Sequence, residues 1–187
     1  MVKRILGLDI STKTIGISVL DYNKKVELVY VDFYKPIKNT IEDKNKDFLN
    51  LLLNAKKHIL SIIEKYKPTH IAVEDYIRFM KGGSGSSTII PLCILNRTIC
   101  LSIVEKYPEI ELSICNIISI RTKIKKNCGL TSFPPKEEIP KLLEKLLNIK
   151  IPRPTKITKK STKILEEHFD MADAIAVGYY CLKLNTI

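Results

Sequence analysis

Short apolar stretches open the chain, and apolar residues recur at helical spacing further on. Residues 3 to 10 (KRILGLDI) and 15 to 21 (IGISVLD) read as two strands around the polar turn STKT, and residues 26 to 34, with alternating Val and Tyr, as a third. Such a succession predicts an antiparallel meander. From Ile41 to Tyr66, the residues Phe48, Leu51, Leu52, Ala55, Ile59, Ile62 and Ile63 recur every three or four positions, predicting an amphipathic helix that Pro68 ends. Strand four is His70 to Glu74. A loop carrying GGSGSS then leads to an apolar helix from about Thr88 to Tyr107, with Pro91 suited to its first turn. Strand five is Glu111 to Asn116. A basic segment with a helix around Lys136 to Leu147, the link IPRP and a closing helix from about Glu166 to Lys183 follow. This order predicts an α/β fold with one mixed five-stranded sheet and helices on both faces. At 187 residues and 45% hydrophobic content, the chain suits one globular domain over residues 1–187.

Four carboxylates break this pattern where charge is costly. Asp9 and Glu74 lie inside the apolar runs ILGLDI and HIAVED, and Asp170 and Asp173 lie on the Ala-rich closing helix. Desolvating one unpaired carboxylate costs several kcal/mol, and a shared divalent metal site is the simplest common compensation. Strand alternation places Ile5, Gly7 and Asp9 on one face, and Ala72 with Glu74 on one face. With strands one and four as neighbours, both acids point into one pocket. Asp170 and Asp173, three apart on a helix, share a side that can cap it.

The charge distribution adds a partner class. Net charge is +11, and residues 121–163 carry 13 Lys or Arg against Glu137, Glu138 and Glu144, a net of +10. A basic segment beside an acidic site suggests a polyanion gripped on one side and processed on the other. Cys93, Cys100, Cys115, Cys128 and Cys181 show no CxxC spacing and read as buried small hydrophobes in a reducing compartment, neither disulfides nor a zinc site. No membrane span is expected, because Asn96 and Arg97 interrupt the apolar stretch Ile89 to Val104. Asp9 also breaks the apolar opening that a secretory signal would need.

Together these segments resemble the RuvC family of Holliday junction resolvases, within the ribonuclease H superfamily, over nearly the full length. ILGLDISTKTIGISVLD resembles the family's first strand, turn and second strand, with Asp9 at the first catalytic acid. IAVEDYI resembles the segment with the catalytic Glu, here Glu74. DMADAIAVGYY resembles the closing helix, with Asp170 and Asp173 at the last two acidic positions. Bacterial members carry Pro and Gly after the first Asp where this chain has Ile10 and Ser11, which points to a phage, viral or organellar branch.

The resemblance implies an endonuclease that cuts four-way DNA junctions with two Mg²⁺ ions, about 4 Å apart, held by Asp9, Glu74, Asp170 and Asp173. Mn²⁺ would substitute, and the nicks would carry 5′ phosphate and 3′ hydroxyl. Basic residues at the scissile phosphate would be Arg121 or Lys123, and Lys136. Arg121, Lys123, Lys125 and Lys126 are the expected backbone contacts, and Tyr76 and Phe79 the aromatics at the site mouth, able to stack on an unpaired base. Family members are symmetric homodimers, and the helix from Thr88 to Tyr107 carries more apolar surface than one sheet face uses; Ile94, Arg97 or Leu101 is expected near the twofold axis, with Asn96 and Arg97 able to bond across it. His168 is expected to be a helix-start residue instead of a ligand. The expected location is the cytoplasm or nucleoid, or an organellar or viral replication site. Two other readings stand beside this one. DISTKTIGISVLD also resembles the phosphate-binding hairpin of the actin and sugar-kinase superfamily, and the chain could be a catalytically silent nucleic-acid-binding domain of the same fold.

Overall fold

The computed structural model describes residues 2–37, 43–76, 86–157 and 162–182. Three strands, β1 (Lys3–Ile10), β2 (Ile15–Asn23) and β3 (Lys25–Tyr34), form the expected meander. Helix α1 (Lys44–Tyr66) follows, capped by the Asp43 side chain, which accepts from the backbone N–H of Asn45 and Lys46. Lys67 closes it in the left-handed conformation, its N–H donating to the Ile63 carbonyl. Then come β4 (His70–Glu74), α2 (Ser86–Lys106) and β5 (Glu111–Cys115).

The sheet order is β3-β2-β1-β4-β5. β1 runs parallel to β4, and β4 to β5, whereas β1–β2 and β2–β3 are antiparallel, so the sheet is mixed. Each face is covered, because successive side chains of a strand point to opposite sides. Leu6, Leu8, Ile71 and Val73 meet α1 and α2 through Leu51, Ala55, Ile59, Leu95, Ile99 and Ile103. Ile5, Leu20 and Ala72 meet the helices that follow β5.

The region after β5 holds more structure than expected. Helix α3 (Ile117–Asn127) starts at Asn116, whose side chain accepts from the Ile118 N–H, and it buries Ile120 and Ile124. The cap and the apolar spacing are both visible in the sequence, but the Lys and Arg between them read as a basic segment. The helix expected around Lys136 to Leu147 is a single 3-10 turn (Lys136–Glu138) leading into α4 (Ile139–Leu147). Beyond the IPRP link, two short strands, β6 (Thr155–Ile157) and β7 (Thr162–Ile164), pair as an antiparallel ribbon that the local sequence pattern does not predict. Helix α5 (Glu167–Cys181) closes the domain against β1 and β2.

Helix α2 corrects two expectations. It begins at Ser86, so the last two residues of GGSGSS are helical, while Gly82 to Gly85 lie outside the described residues. Pro91 consequently sits inside the helix, not in its first turn, where it donates no bond to the preceding turn.

Candidate active site

The parallel pairing of β1 with β4 runs from Ile5–His70 to Leu8–Val73, and Asp9 and Glu74 are the next residue on each strand. The two acids therefore leave the sheet side by side, at the carboxyl ends of neighbouring strands. Both follow residues of the α5 face, Gly7 on β1 and Ala72 on β4.

Helix α5 brings the other two. Its first turns lie so close to β1 and β2 that there is no room for side chains: a Cβ at Gly16 would stand 2.1 Å from the Asp170 carbonyl oxygen, and one at Gly7 would stand 2.2 Å from the Ala174 oxygen. The Ser18 hydroxyl donates to that same Ala174 oxygen over 2.9 Å. Gly16 is the register partner of Asp9, so the close approach at Gly16 sets the helix that carries Asp170 and Asp173 directly over the first acid.

The four charges act on one another. Burial raises the Asp9 carboxyl well above its ordinary range, and the Glu74, Asp173 and Asp170 charges raise it further, against Lys136. Glu74 is pushed up to about 7 by burial and then by Asp173, opposed by Arg121 and Lys136. Burial likewise raises Asp170 and Asp173, and Lys136 opposes it in both cases. The Lys136 ammonium, sent in from the 3-10 turn before α4, lies 3.1 Å from Asp173 Oδ2 and 3.8 Å from Asp170 Oδ1. The Asp170 and Asp173 side chains keep 21% and 13% of their exposure, so both still reach the surface.

Four carboxylates near enough to act on one another's charge, with Lys136 and Arg121 opposing them, are hard oxygen donors of the kind a divalent cation takes. Among the described residues, no three His, Cys, Asp or Glu side chains already close on a common point. Lys136 stands against two of the carboxylates and supplies part of the positive charge that an ion would bring.

A polar network steadies the strand exit after Glu74. Buried Asn96 on α2 donates to the Glu74 carbonyl oxygen over 2.9 Å, and Arg97 Nη2 donates to Asp75 Oδ1 over 2.6 Å. The Arg97 guanidinium also lies 4.9 Å from the centre of the Tyr76 ring. Asn96 is thus turned inward, which corrects its expected place across a twofold axis; a lone Asn in an apolar helix was the signal for an internal bond. Tyr76 sits beside the site, and Phe79 lies outside the described residues.

Of the basic residues on α3, Arg121 acts on the site through its opposition to Glu74 and Asp173. Lys125 Nζ lies 5.3 Å from the Phe133 ring centre, and Lys126 lines a shallow surface groove with Ser119, Thr122 and Asn127. Lys123 lines the same groove but its ammonium is tied down. Its ammonium donates to the carbonyl oxygens of Tyr180 (2.9 Å), Tyr179 (3.3 Å) and Leu182, so its donors are spent on the carboxyl end of α5. His168, buried at the start of α5, bonds through Nδ1 to the Pro152 carbonyl oxygen at 2.8 Å and anchors the IPRP link, as a helix-start residue would. The STKT turn is closed on itself: the Ser11 hydroxyl donates to the Thr14 oxygen and accepts from the Lys13 and Thr14 N–H groups.

The sheet order and the closing helix define an α/β domain of the ribonuclease H-like type. Within that class the chain has a RuvC-like resolvase fold. It superposes on the RuvC of Thermus thermophilus in complex with Holliday junction substrate at a TM-score of 0.65 and 15% identity, over 96% of this chain and 92% of that one. It superposes on the yeast mitochondrial Holliday junction resolvase Ydc2 at 0.66 and 17% identity, over 95% of this chain and 77% of that one. No family model and no curated protein matches the sequence.

Proposed function

We propose that this protein is a structure-selective endonuclease that resolves four-way DNA junctions, using two Mg²⁺ ions, for which Mn²⁺ substitutes, to make paired nicks with 5′ phosphate and 3′ hydroxyl ends. The observation that carries this reading is that Asp9, Glu74, Asp170 and Asp173, from three separate elements, lie close enough for the other three charges to raise Asp9. Asp9, Glu74, Asp170 and Asp173 would hold the ions. Bound there, the ions would activate the attacking water and stabilise the leaving oxygen. Lys136 and, from the α3 side, Arg121 oppose the carboxylate charges and would do the same at the phosphate. Asn96 holds the backbone at Glu74, so that its carboxylate keeps one direction. The closed STKT turn, whose Ser11 hydroxyl is already used, favours this reading over a phosphate-cradling hairpin.

The deciding experiment incubates the protein with labelled four-way junction, Y-fork, duplex and RNA–DNA hybrid in Mg²⁺. Paired nicks in the junction, in preference to the other three, are the expected result; cleavage of the hybrid alone would replace the reading with a ribonuclease H activity. Lys125 and Lys126, together with Arg121, would meet the DNA backbone. Replacing Lys125 and Lys126 by Ala together should flatten the salt dependence of junction affinity by about one unit of log–log slope for each phosphate left without its lysine, without changing which substrate is preferred.

Helix α2 supports a twofold assembly. It is the one helix among the described residues long and apolar enough to cross a membrane by length and composition. However, its inner face is packed on the sheet and bonded to Glu74 through Asn96, while Ile90, Ile94, Leu101 and Val104 remain exposed, Leu101 at 69%. An exposed apolar stripe, interrupted by Arg97, on a helix already seated in the domain suits a second copy, and two such sites suit a junction cut on two strands. Leu101→Asp should give a monomer by light scattering that nicks a single strand.

A further inference from the structure

Two cysteines that the nuclease reading leaves idle stand against each other. Cys115 ends β5 and Cys181 ends α5; they are 2% and 9% exposed, and their sulfurs lie 3.3 Å apart without a bond between them. The surroundings of Cys181 are those that hold a thiolate. His70 on β4, itself buried, places Nε2 3.1 Å from the Ser113 hydroxyl, and both side chains favour the Cys181 thiolate. His70 Nδ1 lies 3.2 Å from Glu111 Oε2, at an angle that makes no hydrogen bond. The Lys123 ammonium, fixed on the last carbonyls of α5, interacts with the charge of Cys181. The hydrogen bond from Cys115 lowers the Cys181 thiol to about 5 against the opposing effect of burial, with His70 and Ser113 assisting, while that same bond raises Cys115. The two sulfurs share one hydrogen bond, in which either can be the donor. Cys100, equally buried, donates to Asn96 instead.

We propose that Cys115 and Cys181 form a dithiol–disulfide site that a peroxide-class oxidant closes, tying the end of α5 to the end of β5. The Cys181 thiolate attacks one oxygen of hydrogen peroxide, the O–O bond breaks, hydroxide leaves and Cys181 becomes a sulfenic acid. The Cys115 sulfur then attacks the Cys181 sulfur, the S–O bond breaks, and that oxygen leaves as water with the Cys115 proton. Counted from two thiols, one peroxide gives one disulfide and two waters, and the two sulfurs lose the two electrons that peroxide gains. The sulfurs have only about 1 Å to travel to reach a bonded length of about 2.05 Å. The cross-link closes a loop containing α3, α4 and the helix bearing Asp170 and Asp173, and Cys115 is the strand partner of Glu74, so the bond braces both sides of the acidic cleft.

The test treats the whole protein with hydrogen peroxide, alkylates remaining thiols under denaturing conditions and maps the products by mass. The expected product is an intramolecular Cys115–Cys181 disulfide with free thiols reduced from five to three, reversed by dithiothreitol. Closing so long a loop should raise the melting temperature of the oxidised protein by roughly 5–15 °C over the reduced form. Cys115→Ser should trap a sulfenic acid on Cys181 that reacts with dimedone, whereas Cys181→Ser should leave Cys115 unreacted. Five alkylatable thiols after oxidation, or cross-links confined to other cysteines or between chains, would overturn the proposal. The wild-type map decides the matter even if either serine variant fails to fold, and none of these readouts depends on nuclease activity.

Discussion

Asp9→Asn, Glu74→Gln and Asp173→Asn should each lower Mg²⁺-dependent junction cleavage by about a thousandfold or more, with junction binding unchanged or tighter. Loss of a metal ligand removes several kcal/mol of transition-state stabilisation, and each 1.36 kcal/mol is about tenfold in rate. None of the three changes removes a positive charge that DNA would meet. Near-normal turnover by any one of them would take that residue out of the site. The metal-free protein provides a check that does not depend on cleavage. Glu74 titrates near 7 in the folded chain, above its ordinary value, because burial and Asp173 disfavour its charge. A carboxyl with a raised folded pKa contributes stability that is complete below its unfolded value of about 4 and is lost as pH rises through 7. Melting temperature without metal should therefore fall between about pH 5 and about pH 8, and Mg²⁺ or Mn²⁺ should restore it at the higher pH. Asp9→Asn should flatten both responses, since it removes one member of the repelling group. A protein indifferent to divalent ions at the higher pH would count against the metal site.

Gly7→Ala and Gly16→Ala should each destabilise the fold by about 3 kcal/mol, at the upper end of overpacking costs, which for a chain of this size is a fall of roughly 6–12 °C in melting temperature. The added methyl would meet backbone: the Ala174 oxygen and the Gly178 nitrogen at Gly7, and the Asp170 oxygen and carbonyl carbon at Gly16. Backbone cannot rotate away, so α5 must lift, and lifting it separates Asp170 and Asp173 from Asp9. Cleavage should fall together with stability in both variants. Gly178→Ala provides the contrast. Its Cβ would come no closer than 3.2 Å, to the Leu20 side chain, and the cost should stay within about 1 kcal/mol. Equal losses at all three positions would mean that helix seating is not what aligns the acids.

The sheet strands were legible because their apolar runs and turns are local signals, and the four acids stood out because each interrupts an apolar context in which a charge has a cost. The basic segment was less legible. Asn116 with Ile117, Ile120 and Ile124 carries a cap and a helical period, yet the intervening charges concealed α3, and only the packing of Ile120 and Ile124 under α4 and α5 distinguishes it from a solvated stretch. Lys123 has the same residue type and local setting as Lys125 and Lys126. Its different fate follows from which side of α3 meets the end of α5.

By itself, the sequence determined the order of the five sheet strands with α1, α2, α4 and α5, the mixed sheet and the candidate acids, since periodicity and burial cost are properties of residues and their near neighbours. The tertiary structure decided what depends on distance between remote segments. It placed β4 beside β1 so that Asp9 and Glu74 emerge together, and it used Gly7 and Gly16 to bring α5 down onto them. It turned Asn96 inward to Glu74 and set Cys115 against Cys181 across a separation of 66 residues. Spacing along the chain carries no information about such contacts, because they arise from the docking of whole elements whose register is set by packing over the entire core.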